Sequence, residues 1–149
     1  MSLAMSRAER EAFLADVHVG VISVAEHGRA TLAVPIWYGY EPGGEVRIVT
    51  GERSRKVSLL RRAERFSLCV QTEAPPYKYV SIEGPIVAIG PADVERDIRP
   101  LAHRYLGHEL GDRYVAATHG EGGEEPSILV SMRPERWLTV DFAKEYGSL

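Results

Sequence analysis

The chain has 149 residues, of which 44% are hydrophobic and 26% are charged, proportions that are ordinary for a globular protein. Its net charge of −3 argues against general binding to nucleic acid, which favours a basic surface. No apolar run reaches the roughly 18 residues of a membrane-spanning helix, and the first residues lack the apolar core of a signal peptide. We therefore expect a cytoplasmic protein that forms one domain over residues 1–149, of which residues 1–4 could be a cloning scar.

The first half of the chain alternates strand patterns with two short helices. Ser6 and Glu9 have the spacing of a capping box, which predicts a helix to about Ala15. A second helix is predicted over residues 54–63. Runs rich in β-branched and aromatic residues, separated by turn residues, predict strands between these helices and after them. The predicted strands of this half are 17–25, 30–40, 46–50 and 65–72.

The second half begins with a long alternating strand pattern over residues 77–90, which is expected to bend at Gly84. A polar, helix-like region covers residues 92–118, with Gly107 and Gly111 as its expected interruptions. An acidic loop at 121–125, a strand at 127–132 and a strand at 136–142 complete the predicted elements.

The order of these elements predicts the fold class. Strands that follow one another through tight turns, with few helices between them, favour a mainly β protein with an antiparallel sheet. Six or seven strands in a chain of this length should close, or nearly close, into a barrel. Pro35, inside the second strand, indicates an edge, a bulge or a stretch of unpaired backbone. Cys69, between apolar strand residues, is expected to be inert core.

Basic side chains gather where the third predicted strand passes into the second helix. With Ser54 as the N-cap, Arg55 and Lys56 lie in the first turn, where the helix already carries positive partial charge. The arrangement becomes favourable when backbone N–H groups, a hydroxyl and two cations converge on a phosphate. From the residues alone, a solvated basic helix start with Leu59 and Leu60 facing the core is an equal alternative.

The pattern T-x-x-x-S-R-K-x-x-x-L, from Thr50 to Leu60, resembles the flavin-phosphate segment of the pyridoxamine 5′-phosphate oxidase-like split-barrel family. The segments "VPIWYGY" (34–40) and "RFSLCVQTEAPPYKYVSIEGPIVAI" (65–89) agree with that family in order and spacing. The resemblance covers residues 8–90 well and the tail loosely. It implies an antiparallel split β-barrel with a few short helices, and a homodimer whose cofactor sites lie at the interface and use both chains.

Two departures from the true oxidase argue against pyridoxamine phosphate oxidation. No basic residue occurs in strand 30–40, where that enzyme carries an arginine and a lysine, and "VDFAKEYGSL" lacks its basic C-terminal stretch. The segments "PIWYGY", "TGERSRK" and "PPYKYVSIEG" look more like the flavin/deazaflavin oxidoreductases of the family. This resemblance implies an oxidoreductase that binds the deazaflavin coenzyme F420 or FMN and transfers hydride to a small unsaturated substrate.

The resemblance also implies which residues hold the cofactor. The ring would lie over strand 30–40, the phosphate would meet the basic junction, and tyrosines of a second chain would complete the pocket. Arg53 and Arg62, with the arginines of the junction, could line a channel for the anionic tail of F420, so F420 is favoured over FMN. The predicted cofactor-binding residues are Pro35, Ile36, Trp37, Val49, Thr50, Ser54, Arg55, Lys56, Arg61, Tyr77 and Tyr79.

No catalytic acid or base is predicted, because the hydride chemistry belongs to the cofactor. His103 and His108 are five residues apart and are not expected to share a helical face, so no metal site is predicted. Two alternatives stay open. One is an FMN-dependent enzyme related to the oxidase; the other is a non-catalytic flavin or haem carrier or storage protein, in which His18 would be the axial ligand.

Overall fold

The structure, a computed structural model of the chain, describes residues 2–120 and 126–146. In this part of the chain, seven antiparallel strands form one curled sheet accompanied by short helices, which confirms the predicted mainly β fold. The predicted acidic loop at 121–125 lies outside the described residues. The strands are β1 (Gly20–Val24), β2 (Leu32–Ile36), β3 (Val46–Gly51), β4 (Arg65–Gln71), β5 (Lys78–Pro91), β6 (Ser127–Met132) and β7 (Arg136–Asp141).

Both predicted helices of the first half form, and their N-terminal caps explain where they begin. Ser6 and Glu9 make the two hydrogen bonds of a capping box, and the Ser54 side chain accepts from the backbone N–H of Val57. Among the described residues, no helix is long and apolar enough to cross a membrane. The helices are α1 (Arg7–Ala15), α2 (Arg55–Ala63), a π-helix (Val94–Ile98), α3 (Arg99–Leu106), α4 (His108–His119) and α5 (Ala143–Tyr146).

The curled sheet forms a half-barrel and not a closed barrel, because its two end strands do not pair with each other. The strand order is β2-β1-β4-β5-β6-β3, and β7 pairs with β5 beside this path. An isolated bridge between Gly39 and Arg47 links the segment after β2 to β3 at one point. The inner faces of the strands enclose the apolar core. Apart from that bridge, the two end strands are not paired with each other among the described residues, which leaves a gap between β2 and β3.

Strand β2 is shorter than predicted, and its position explains Pro35. β2 ends at Ile36 instead of continuing to residue 40. Among the described strands it pairs only with β1, so Pro35 lies on an edge strand, which is one of the three predicted explanations for a proline there. Beyond the strand, Tyr38 is buried and its hydroxyl donates to the Leu14 carbonyl, 2.6 Å away. This burial raises the pKa of Tyr38 well above its usual range.

Strand β5 passes from one side of the half-barrel to the other. It pairs with β4 through Pro85 and with β6 from Ile86 onward, and a register shift between Ile86 and Ala88 accompanies the change. Gly84 lies where a side chain would collide with the Arg133 carbonyl, so the close backbone approach there requires glycine. The register shift comes just after Gly84 and Pro85, where the bend is predicted, and the bend itself stays a prediction.

Two predictions about single residues are wrong. Cys69 is exposed, because Leu68 and Val70 on either side of it face the core and the alternation of a strand turns Cys69 outward. Gly107 does separate α3 from α4, but Gly111 lies inside α4. A Cβ atom at Gly111 would lie 2.7 Å from Cδ2 of His103, so this glycine allows α4 to pack closely against α3.

Candidate functional site

A cleft of about 350 Å³ opens where the end strands β2 and β3 diverge; we call it the split cleft. The sheet contributes its walls, α2 contributes one end, and the π-helix, α3 and α4 cover it. It therefore lies where two strand edges are free of sheet partners, a position at which backbone groups remain available to a ligand. Its lining residues are Val19, Pro35, Ile36, Trp37, Val49, Thr50, Gly51, Lys56, Ile98, Leu101, Ala102, Tyr114, His119 and Ser127.

The split cleft brings together six of the eleven predicted cofactor-binding residues. Two come from the end of β2, Trp37 directly follows that strand, two come from β3 and one comes from the first turn of α2. These segments are separated in the sequence by up to some twenty residues. The predicted strand and junction thus meet at one site, which neither pattern alone could establish. The six residues are Pro35, Ile36, Trp37, Val49, Thr50 and Lys56.

Aromatic rings form one wall of the cleft. The Trp37 ring stacks on Tyr105 of α3, with centroids 4.9 Å apart and planes within 5°, and it meets Tyr114 of α4 at 5.5 Å. The Tyr105 hydroxyl donates to the His18 carbonyl at 2.6 Å and accepts from the backbone N–H of Tyr38 at 3.1 Å. Tyr105 therefore fixes the segment after β2 and holds the Trp37 ring at the cleft.

Hydroxyl groups and a cation meet at the end of the cleft beside α2. Thr50 is buried at the end of β3, and its Oγ1 lies 3.2 Å from Oγ of Ser54, the N-cap of α2. Ser54 stands next to the cleft without lining it, while Lys56 on the first turn does line it. A helix start with a lysine and hydroxyls beside it is an arrangement that suits a phosphate group.

Arg55 and Arg61 do not line the split cleft, and their cofactor roles stay predictions. The Arg55 guanidinium forms an ion pair with Glu26 of the β1–β2 turn. Arg61 lies near the other end of α2, where it borders a separate shallow pocket with Glu64 and β5. Of the three consecutive residues of the serine-arginine-lysine segment, the structure therefore places only Lys56 in the cleft itself.

Tyr77 and Tyr79 also lie away from the cleft of their own chain. Tyr77 is 51% exposed before β5, and Tyr79 is half-buried on β5, where it pairs with Gln71 of β4 and Val140 of β7. Both residues were predicted to act from a second chain. Their position on the sheet leaves them accessible to a neighbouring molecule, and their role in the cofactor site stays a prediction.

The histidines have local partners. His18, the predicted haem ligand, does not line the cleft; its Nε2 lies 3.0 Å from the Phe13 carbonyl oxygen, and burial lowers its pKa. His103 and His108 share no helical face, as predicted, but they lie on two helices that pack together and place their ring centroids 4.2 Å apart. Within residues 2–120 and 126–146, no group of three potential ligands could hold a metal ion.

Several lining residues were not predicted, because helices distant in the sequence supply them. Ile98, Leu101 and Ala102 provide an apolar cover, and Tyr114 extends the aromatic wall. His119 ends α4 and Ser127 begins β6; both reach the cleft. The only sequence signal for such a pair was a histidine followed within eight residues by a serine at a strand start, which is too common to indicate a site.

Solved structures with the same fold place the half-barrel among the split-barrel proteins. A conserved hypothetical protein from Mycobacterium tuberculosis is 21% identical, with a TM-score of 0.77 over 97% of this chain and 90% of that one. An F420 reductase is 19% identical (TM-score 0.59; 86% and 94% covered). A candidate pyridoxamine 5′-phosphate oxidase from Listeria innocua is 13% identical (TM-score 0.63; 89% and 96% covered).

The same fold serves more than one function. HutZ, a haem storage protein from Vibrio cholerae, is 14% identical, with a TM-score of 0.59 over 91% of this chain and 89% of that one. A scan of protein-family models and a search of curated proteins give no match. At these identities the likeness establishes the fold, a split barrel shared by flavin-related and haem proteins, and leaves the activity to be argued from the site.

Proposed function

We propose that the protein is an oxidoreductase that binds a flavin-type cofactor in the split cleft, with F420 favoured over FMN, and reduces a small unsaturated substrate. The observation that carries this proposal is the meeting of Trp37, Thr50 and Lys56 in one cleft between the end strands. That cleft is concave, mostly apolar and supplied with a few polar groups at one end, as ligand sites of about 300–1,000 Å³ usually are.

The lining residues fit the two chemically different parts of such a cofactor. Ile36, Trp37 and Val49 offer an apolar and aromatic surface to a flat ring. Lys56 and Thr50 offer a cation and a hydroxyl to a phosphate at the α2 end. When bound, the cofactor supplies the hydride. The task of this chain's residues is to orient the ring, to neutralise the phosphate and to exclude water through the apolar cover from α3.

A second copy of the chain is part of this proposal, because the cleft borders a partly apolar face. Register pairs place Pro35, Val21, Cys69, Ser81 and Leu138 in one row across the outside of five strands; we call it the outer row. Val21 is 40% exposed and Leu138 is 62% exposed. The row begins at Pro35, which also lines the split cleft, so a symmetric partner packed on this row would reach the cofactor site.

The preference for F420 is supported by cations on the exposed side of α2. Arg55, Arg61 and Arg62 all belong to this helix, and each lies at least partly in solvent. F420 continues beyond its phosphate into an anionic tail, whereas FMN ends there. A tail that leaves Lys56 along α2 would pass these guanidinium groups, and it would compete with Glu26 for Arg55.

Parallel titrations test the proposal. The purified protein is titrated with F420, FMN and haemin, with fluorescence quenching for the first two and the haem absorbance band for the third. Submicromolar binding of F420 is expected. Binding of FMN alone would overturn the cofactor preference and keep the flavin site. Tight binding of haemin alone would support the storage alternative, for which His119 instead of His18 is the histidine in the cleft.

A further inference from the structure

Thr118, His119 and Ser127 form a hydrogen-bonded chain that ends in the split cleft. Nδ1 of His119 lies 2.7 Å from the Thr118 hydroxyl, and its Nε2 lies 3.1 Å from Oγ of Ser127. The Thr118 hydroxyl also lies 2.7 Å from the Tyr114 carbonyl oxygen. His119 and Ser127 both line the cleft, and both are half-buried, so the chain connects a titratable imidazole to the proposed cofactor site.

The partners of Thr118 decide which nitrogen of His119 carries a proton. A carbonyl oxygen can only accept, so the single hydroxyl proton of Thr118 goes to Tyr114 and the hydroxyl oxygen accepts from Nδ1–H. In the neutral imidazole, Nε2 is then an acceptor for the Ser127 hydroxyl. When Nε2 is protonated it donates to Oγ of Ser127 instead, and the Ser127 proton is released to point into the cleft.

We propose that His119 and Ser127 are the proton donors of this site when the proposed reductase acts on a conjugated carbonyl substrate. This inference rests on the proposed function, because the hydride must come from the reduced flavin-type cofactor. A conjugated carbonyl that receives hydride at its β carbon moves its C=C electrons toward the carbonyl oxygen, which then requires a proton. A hydroxyl in the cleft backed by an imidazolium supplies it.

The step balances in atoms and electrons. Hydride forms one C–H bond at the β carbon, the C=C electrons shift to the bond between the α carbon and the carbonyl carbon, and the C=O π electrons form the new O–H bond, while the cofactor is oxidised by two electrons. The resulting enol tautomerises to the saturated carbonyl compound in water. Ser127 Oγ gives its proton to the substrate oxygen and takes the Nε2 proton of His119, so a neutral His119 remains. Water then reprotonates His119. Thr118 touches no substrate; it positions the imidazole and keeps Nδ1 protonated in both states.

A test of pH dependence must distinguish the effect of His119 from the effects of the other titratable groups near it. Lys56 of α2 and Tyr114 of α4 line the same cleft. Glu52 follows β3, and its backbone N–H donates to the carbonyl of Pro126, the residue before Ser127. The variant Glu52→Gln is therefore expected to keep the pH dependence that His119 confers.

The first test needs no cofactor. In ¹⁵N-histidine-labelled protein at high pH, NMR should show the Nδ1–H tautomer of His119 with an unprotonated Nε2. Thr118→Val should reduce that tautomer preference. A dominant Nε2–H tautomer in the wild-type protein at high pH would overturn the proposed relay, whatever cofactor the protein binds.

The second test measures the proton transfer. Protein loaded with reduced F420, or with reduced FMN if FMN is what binds, is mixed with 2-cyclohexen-1-one or menadione, and cofactor oxidation is followed in a single turnover. The wild-type rate should fall as pH rises through the His119 pKa found by NMR. His119→Asn should lower the rate about 100-fold or more in protein saturated with cofactor, without that pH dependence. The exposed His27→Asn is the matched control and should behave as wild type.

The outcomes separate this proposal from the proposed function. If the cofactor binds and His119→Asn keeps the wild-type rate and pH profile, the relay is wrong and the function stands. If the loaded wild-type protein leaves both probes unreduced, its proposed action on conjugated carbonyl substrates is overturned. If neither F420 nor FMN binds, the proposed function and the relay fall together.

Discussion

Arg55 and Lys56 are adjacent in the sequence and face different partners. Lys56 points along the split cleft, whereas the Arg55 guanidinium meets Glu26 on a neighbouring turn. Adjacent positions on a helix differ by about 100°, so a basic pair at a helix start seldom serves one ligand with both side chains. Lys56 is therefore the residue on which the proposed phosphate site depends most.

Replacing Lys56 by alanine is expected to weaken cofactor binding about ten- to a hundredfold, because a charge-assisted contact contributes roughly 1.5–3 kcal/mol. The melting temperature without cofactor should change little, since Lys56 is partly exposed. Lys144→Ala is the control: this lysine pairs with Glu9 away from the cleft and should leave Kd unchanged. A Lys56→Ala protein that binds as tightly as wild type would place the phosphate elsewhere.

Glu9 gives a pH-dependent prediction. Its hydrogen bond with Lys144, together with the bonds to Ser6, lowers its pKa to about 2 from an ordinary value of 4.5. A carboxyl whose pKa is depressed by folding stabilises the protein above its unfolded pKa, and this stabilisation is lost as pH falls from about 4.5 toward 2. Glu9→Gln should therefore flatten the acid limb of a stability curve measured by urea unfolding. An unchanged acid limb would contradict the role of Glu9.

The elements themselves were largely predictable, because their signals are local. A capping box at Ser6, a serine cap at Ser54 and period-two alternation in β3 and β4 depend only on neighbouring residues, and all of them are found. The same alternation indicates that Cys69 faces outward, because it lies between two inward-facing residues. The apolar residues next to Cys69 in the sequence suggested that it is buried, whereas the exposed face of this strand is itself partly apolar.

The packing between elements was not predictable from local signals. Glycine usually interrupts a helix, and Gly107 does so, whereas Gly111 stays helical because α3 approaches at that point. The positions of His119 and Ser127 depend on the same packing, because these residues reach the cleft only when α3 and α4 pack over the gap between β2 and β3. No pattern within either segment reports where it will dock.

Gly111→Ala tests the contact between α3 and α4. A methyl group there would lie 3.1 Å from the carbonyl carbon of Ala102 and from the backbone nitrogen of His103, and such overpacking costs about 1–3 kcal/mol, against a gain of about 1 kcal/mol in helix propensity. The net expectation is a destabilisation of roughly 1 kcal/mol in urea unfolding. Gly90→Ala, where the added carbon meets no atom within 4 Å, is the control. A Gly111→Ala protein as stable as wild type would mean that the helices are less closely packed than described.

At the scale of the whole molecule, the split cleft and the outer row are adjacent. The strands at the two ends of the sheet leave the split cleft between them, and the outer row runs from the rim of that cleft across five strands to Leu138. A monomer would leave both the apolar row and the cleft rim in water. A symmetric dimer on this row would cover the former, and we propose that it would complete the latter and bring Tyr77 and Tyr79 within reach of a partner's cofactor.

The assembly is tested by light scattering at micromolar concentration. The wild-type chain should have a mass of about 33 kDa, twice its 16.5 kDa. Leu138→Glu should give a monomer, because two-fold symmetry would bury two unpaired carboxylates. Leu110→Glu replaces another exposed leucine, on α4, and should stay dimeric. A monomeric wild type, or a dimeric Leu138→Glu protein, would remove the outer row from the interface.

The central claim is that the split cleft holds the cofactor, and a crystal structure of the complex with F420, or with FMN if FMN binds instead, tests it most directly. We predict the ring between β2 and β3 against Trp37, with the phosphate within hydrogen-bonding distance of Lys56 Nζ and the Thr50 hydroxyl. A cofactor bound elsewhere on the chain, or a phosphate remote from Lys56, would contradict the account.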